Sequence, residues 1–484
     1  MEHTYRMNDP KQMAHTSLWQ LRIGERQALL VFGDFVVAIL SLVLSLIYWG
    51  MSERFTGFSL EFLEKRVPIW FYFLPLIWIL IMVELYDVHR ASDWNKTIKG
   101  VAIAALIGFM LYLLLYFYYA APSKSLLPRR GVASFLISVS VLTLFWRRIY
   151  IDTFSASRFM RHVLVVGGGR NGQLFLRTIN ALKNKPFVVV GVVDDDIQKF
   201  GKEIENIPVL GNSSHLLDLI NEHHISDVIV AIGGEMHPDT FQAILEAQER
   251  GIDIIRMPIA YEELIYRVPI LSLEADWILR TFVDQARGSG FFEVGKRIID
   301  ILGAIVGLVV MALVFPFILV MMLFDDGFPI FYGQTRSGRG GQPYEIIKFR
   351  TMRRDAEADG SPRWAQEGDT RATRVGRLLR KTHLDELPQF INVLRGEMSL
   401  VGPRAERPEL VEIFQKHVPF YRARLLVKPG ITGWAQVNFG YAATIEETTI
   451  KLEYDLYYIK HRSIFLDLLI ILRTPATVLG FRGR

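Results

Sequence analysis

The chain has 484 residues, with 55 Lys and Arg against 50 Asp and Glu, and no cysteine. Disulfides, thiolate metal sites and cysteine nucleophiles are excluded, and a net charge of +5 over this length does not describe a nucleic-acid binder. The length divides into about three domains, and a 51% hydrophobic composition places the apolar excess in membrane segments.

The first 26 residues are polar and read as a cytoplasmic tail without a cleavable signal. Four apolar stretches follow, at about 28–50, 68–86, 100–120 and 131–151, each close to the ~20 residues that cross a hydrocarbon core. They predict a four-helix transmembrane bundle over 27–151. Asp34 and Glu84, inside these stretches, read as snorkelling or bundle-facing acids. Lys and Arg favour a topology with both bundle ends in the cytoplasm.

Residues 152–285 change character. The runs HVLVVGGG, PFVVVGVVD, DVIVAIGG and IDIIRMP are rich in β-branched residues and alternate with helical-looking segments such as 214–222 and 239–250. That alternation predicts a Rossmann-like middle domain with a parallel sheet. Gly167, Gly169 and Gly172 form a GxGxxG after the first strand, and Asp194 ends the second. This fits a nucleotide turn, in which glycines let a phosphate approach a helix N-terminus; the other reading is tight packing alone. An oxidoreductase or dehydratase of nucleotide sugars would want a Tyr-x-x-x-Lys pair downstream. Tyr261 and Tyr266 are instead followed four residues later by Ile265 and Ile270. A non-enzymatic membrane scaffold or sensor is the remaining alternative, and it would make Asp385 dispensable.

Residues 286–484 predict a C-terminal α/β catalytic domain. An apolar run from Ile298 to Phe324 is interrupted by Asp300 and Pro316. A fifth span here would leave everything after it outside the cell. The favoured reading is a re-entrant membrane helix over about 296–324, broken at Pro316, where the missing N–H lets the chain bend back to the cytoplasmic side. A later run, 464–472, is too short to cross and reads as an interfacial helix.

The chemistry concentrates in THLDELPQFINVL (382–394). Pro388 sets a helix start close to Asp385, with Thr382 or Asp385 itself as the cap. Both Asp385 and Glu386 then lie where a helix dipole favours negative charge, and acids at helix starts are commonplace. More is present, however. Arg371, Arg374, Arg377 and Arg380 recur every third residue, and Lys348 and Arg350 come from a predicted strand, YEIIKFRTM. Such cations suit a diphosphate, and paired carboxylates suit Mg²⁺ bridging to substrate phosphates.

The motifs KRIID (296–300), FPIFYGQTRSGRGGQPYEIIKFRTM (328–352), DTRATRVGRLLRKTHLDELPQFINVLRGEMSLVGPR (369–404), KPGITGWAQVN (428–438) and YDLYYIKHRSIFLDL (454–468) resemble the bacterial sugar transferase family. The whole chain looks like that family's large form, the monotopic phosphoglycosyl transferases that include undecaprenyl-phosphate glucose and galactose phosphotransferases. The resemblance implies a UDP-sugar and undecaprenyl phosphate as substrates at the inner, cytoplasmic membrane, with membrane lipids around the site and a homodimer left open. It implies that Asp385 attacks the β-phosphorus, with Glu386 placing Mg²⁺ or assisting a proton. Lys348, Arg350, Arg380 and Arg404 would contact phosphate. Gln436 and Asn438 would line the nucleotide or sugar pocket. Pro316 matches the break of the re-entrant helix, and Asp455 and Asp467 match further acids. One departure is His383, where the family commonly has a small hydroxyl residue.

Overall fold

The computed structural model describes residues 23–52, 58–118, 128–154, 160–182, 185–273, 290–353, 371–440 and 444–478. They form two compact units, 1–260 and 261–484.

The first unit begins with long apolar helices: α1 (Ile23–Ser52), α2 (Leu74–Ile81), α3 (Trp94–Tyr118) and α4 (Arg129–Phe154). The short α2 is extended at both ends by 3-10 turns, so 69–86 is long enough to cross a bilayer. Trp49, Phe62, Phe71, Trp78 and Phe135 fill the centre of these helices, while Phe32, Leu114, Ile137 and Phe145 face outward. An apolar exterior around an aromatic centre is what lipid as solvent permits. Asp34 does not snorkel. It is fully buried, and its Oδ2 accepts from Arg147 Nη2 at 2.6 Å, while Arg147 Nη1 donates to the Leu85 carbonyl. A buried acid is tolerated there because its carboxylate and a helix-end carbonyl share the same guanidinium.

The remainder of the first unit is built on a six-stranded sheet. Its parallel centre is β1 (Arg161–Val166), β2 (Phe187–Val193), β5 (Asp227–Val230) and β6 (Asp253–Arg256). The addition is a small antiparallel hairpin, β3 (Glu203–Ile204) and β4 (Ile207–Gly211), in which β4 also pairs in parallel with β2. The strand order is β3-β4-β2-β1-β5-β6. Helix α5 (Arg170–Ala181) starts at the glycine turn, and α6 (Pro238–Glu249) lies between β5 and β6 in sequence. Gly167 adopts φ +103°, and a Cβ on Gly172 would sit 2.0 Å from the Gly167 carbonyl. Only glycine fits either position.

The second unit starts at Tyr261, earlier than the composition change suggested. Val268 and Ile270, just after α7 (Met257–Ile265), are buried in its core with Val393, Trp434, Leu456 and Ile470. Helix α8 (Gly290–Asp325) runs as one helix with Pro316 inside it. Strands β7 (Phe331–Ser337) and β8 (Pro343–Phe349) form an antiparallel hairpin. Then come α9 (Arg374–Lys381), α10 (Gln389–Arg395), β9 (Ser399–Val401) paired in parallel with β10 (Gly430–Thr432), α11 (Trp434–Asn438), α12 (Ile445–Lys460) and α13 (Ile464–Val478).

Candidate active site

Helix α9 is capped twice at its start: Thr373 Oγ1 accepts from Gly376 N, and Asp325 Oδ2, from the end of α8, accepts from Val375 N at 2.8 Å. Val375 and Leu379 turn inward against Ile318, Met322 and Phe349. That orientation leaves Arg374, Arg377 and Lys381 exposed, and of the arginines in the row only Arg371 and Arg380 are half-buried. Spacing alone could not say which side of the helix would be taken by the core.

The chain then makes a turn that the sequence did not reveal. Thr382 closes α9, its hydroxyl bonded back to the Leu378 carbonyl. Neither Thr382 nor Asp385 caps the next turn. His383 does so through its backbone, with φ 56°, and its side chain makes no capping bond. Histidine is among the few non-glycine residues that enter this left-handed region with any frequency. Leu384–Glu386 form a single 3-10 turn, and Pro388 is the N-cap of α10. The two acids therefore lie one turn ahead of the α-helix rather than within its first turn.

Asp385 and Glu386 are each only 9% exposed. Glu386 Oε1 accepts from Lys348 Nζ of β8 at 2.7 Å and from Arg404 Nη2 at 2.9 Å. Burial works to raise its carboxyl, but Arg404 and Lys348 outweigh it and hold the group well below the usual range. Asp385 has the opposite fate. Among the described residues its carboxylate makes no hydrogen bond. Burial, helped by the negative Glu386, pushes it up against the pull of Lys348, Arg404 and His383. The pair thus comprises one fixed anion and one free, poorly solvated carboxylate.

Residues with no role assigned from sequence hold this arrangement. Asn392 of α10 is fully buried; its Oδ1 accepts from Ile347 N, and its Nδ2 donates to the Glu345 carbonyl and to Glu397 Oε2. It thereby locks the strand carrying Lys348 to the helix after Asp385. An asparagine in the apolar run FINVL was the available signal. Arg424, also buried, donates from Nη2 to the Arg404 carbonyl and lies 2.9 Å from Asp455 Oδ2, so Asp455 serves the site indirectly. Lys296 Nζ bonds Asp467 Oδ2 at 2.8 Å and the Val401 carbonyl, and Asp300 Oδ1 accepts from Ser399 and Leu400.

The other expected site residues are placed differently. Arg350 Nη2 donates to the Asp326 and Gly327 carbonyls and pairs with Asp326 at 3.2 Å, so that nitrogen is committed to the end of α8. Gln436 Nε2 donates to the Ile431 carbonyl and Asn438 Nδ2 to the Trp434 carbonyl, both shaping their own turn. In the middle domain, Asp194 Oδ2 accepts from Gly168 N at 2.6 Å and meets Lys199 at 3.0 Å. The acid of the expected nucleotide turn is thus bonded to the glycine turn itself and to Lys199.

Among the described residues no group of three His, Asp or Glu side chains is placed to hold a metal. The donor set nonetheless suits Mg²⁺ as a partner of substrate. One oxygen of Glu386 is occupied by cations, leaving its other oxygen and both of Asp385, and Mg²⁺ commonly takes one or two carboxylates with waters and phosphate oxygens.

A family profile described as bacterial sugar transferase matches residues 291–481, and one described as a CoA-binding domain matches 82–258. Three relatives illustrate the likeness. A UDP-N-acetylgalactosamine-undecaprenyl-phosphate N-acetylgalactosaminephosphotransferase of Aeromonas hydrophila is 45% identical, over 39% of this chain and 45% of its own. A UDP-glucose:undecaprenyl-phosphate glucose-1-phosphate transferase of Xanthomonas campestris is 33% identical, over 57% of each chain. A UDP-galactose-lipid carrier transferase of Erwinia amylovora is 32% identical, over 66% of this chain and 68% of its own. The match thus spans about half the length of the first two relatives.

Proposed function

Because the chain belongs to the bacterial sugar transferase family, we propose that it moves a sugar 1-phosphate from a UDP-sugar, glucose or galactose, to undecaprenyl phosphate. The observation that carries this is the buried pair in which Lys348 and Arg404 clamp Glu386 and leave Asp385 free. An Asp385 oxygen attacks the β-phosphorus, the bond from that phosphorus to the bridging oxygen breaks, and UMP departs with the electron pair. The sugar phosphate is then esterified to Asp385. A phosphate oxygen of the lipid attacks the same phosphorus, and the Asp385 carboxylate leaves. Lys348 and Arg404 offset the charge that builds around the phosphorus, a contribution typically worth several kcal/mol in a water-poor site. Mg²⁺, held by Asp385 and Glu386 when bound, would neutralise phosphate charge.

A re-entrant α8 suits this chemistry, since the lipid's phosphate stays at headgroup depth. Both ends of the helix are bound by the second unit: Lys296 and Asp300 to Val401, Ser399 and Leu400, and Asp325 and Asp326 to Val375 and Arg350. Between them a Cβ on Gly307 would strike the Phe390 ring at 2.4 Å. One globular unit holding both ends supports an entry and exit on the same side of the membrane, the side where UDP-sugars are made. Exposed Phe317, Val320 and Phe324 would face lipid.

Membranes holding the protein, Mg²⁺, a UDP-sugar and undecaprenyl phosphate should release UMP, and Asp385→Asn should lower the rate by at least ~10³-fold while the protein stays folded. Turnover unchanged in that variant would end the proposal.

A further inference from the structure

Trp434 opens α11 and is 3% exposed at a junction of several elements. Its indole N–H donates to the Tyr266 carbonyl at 3.0 Å. The ring stacks on Tyr457 of α12 with centroids 5.8 Å apart, meets Tyr266 edge-on at 6.2 Å, and lies under the Arg473 guanidinium at 5.4 Å. Tyr266 itself has φ 56°, a region that a bulky residue occupies only when its surroundings hold it there.

The holding groups are evident. Both oxygens of buried Glu262 receive Lys460 Nζ at 2.8 Å, and one faces His461 Nε2 at 3.0 Å. Arg267 lies 3.4 Å from Glu453, and Val268 and Ile270 are buried in the core. Residues 261–273 thus form a strap across α11 and α12.

What the strap secures is the turn leading into Trp434. Gly430 N donates to the Pro403 carbonyl and Gly402 N to the Thr432 carbonyl, both at 2.9 Å. A Cβ on Gly402, Gly430 or Gly433 would come within 2.4 Å of facing backbone, so the two turns touch without slack. Arg404 comes immediately afterwards, and its guanidinium reaches Glu386. Every step from the Tyr266 carbonyl to Glu386 is therefore a direct contact or a peptide bond.

We propose that Trp434, held by the 261–273 strap, is a positioning residue that sets the Arg404 side of the Glu386 clamp. The inference builds on the transferase reading, and Trp434, buried at 3% exposure, acts through Arg404. Misplacing a reacting group by ~1 Å can cost ~10²-fold in rate.

The test uses the full-length protein in lipid nanodiscs and Trp434→Phe, which keeps an aromatic ring and removes the donor. Amide exchange at Gly402 and Gly430 should accelerate roughly tenfold while β8 and α10 amides are unchanged. UMP release should lose about tenfold in kcat, with the KM for UDP-sugar within about twofold and the melting temperature within a few degrees. Unchanged protection at Gly402 and Gly430 would overturn the inference, as would wild-type kcat in a protein that merely melts earlier. If the wild type releases no UMP, the transferase reading fails, and amide exchange still decides the strap. Should Trp434→Phe not fold, Tyr457→Leu removes the stacking partner and is read by the same exchange.

Discussion

Two aspartates in this chain sit in tight turns beside a lysine, and they differ in one respect. Asp194 of the middle domain accepts the Gly168 amide and the Lys199 ammonium, so its charge is satisfied by the fold around it. Asp385 has Lys348 nearby, but the hydrogen bond that lysine makes goes to Glu386, and Asp385 keeps a buried carboxylate without a hydrogen bond among the described residues. A satisfied acid stabilises; an acid left raised in energy beside fixed cations is equipped to react. The contrast separates a structural turn from a candidate catalytic one.

The comparison can be broken by removing each lysine in turn. Lys348→Met should lower UMP release by ~10²-fold, since one charged donor to a transition state typically counts for that much. Lys199→Met should leave the rate unchanged and cost only ~1 kcal/mol of stability, measured as the unfolding midpoint of the whole protein. Equal losses of rate in both variants would erase the distinction.

A third acid lies between the two extremes. Glu453 is buried, and burial pushes it up to about 7 because Arg267 and Tyr261 at 3.4–3.5 Å compensate only in part. A folded-state value above the unfolded one means that folding favours the protonated form. Stability therefore falls as pH rises from about 4.5 to about 7, by up to ~3 kcal/mol, and stays low above that window. Glu453→Gln should raise the melting temperature at pH 8 and scarcely move it at pH 5. A gain at pH 5 equal to that at pH 8 would show that the carboxylate's charge is not the cause.

The smallest expected effect sharpens the geometry of Asp385. His383→Gly relieves a left-handed residue and should stabilise the protein by ~0.5–1 kcal/mol, or leave it unchanged if unfolded-chain entropy offsets the gain. His383→Val should destabilise by more than ~1 kcal/mol and slow UMP release, because a β-branched residue resists φ 56°.

Much of this was legible in the sequence. Apolar length announced the membrane helices and β-branched runs announced the parallel sheet, whereas Lys348 and Arg404 were expected on phosphate and their bonds to Glu386 were not foreseen. What could not be read depended on distant partners. Arg350 shares a motif with Lys348, yet it binds Asp326 because β8 ends against the turn after α8. The arginine row looked like one phosphate-binding stripe until Val375 and Leu379 took the inward positions and turned Arg374 and Arg377 outward. Residues 261–273 carry no strong periodicity, so nothing local signalled that they belong to the second unit. Asn392 matters only once a strand edge lies beside it.

The central claim is that Asp385 becomes bonded to phosphorus. The direct measurement is to mix the protein with UDP-sugar in the absence of lipid acceptor, quench in acid, digest, and weigh the peptide containing Asp385. The account predicts a mass increase of one sugar phosphate on that side chain, discharged when undecaprenyl phosphate is added before the quench. An unmodified Asp385 during active UMP release, or the same mass on another residue, would contradict it.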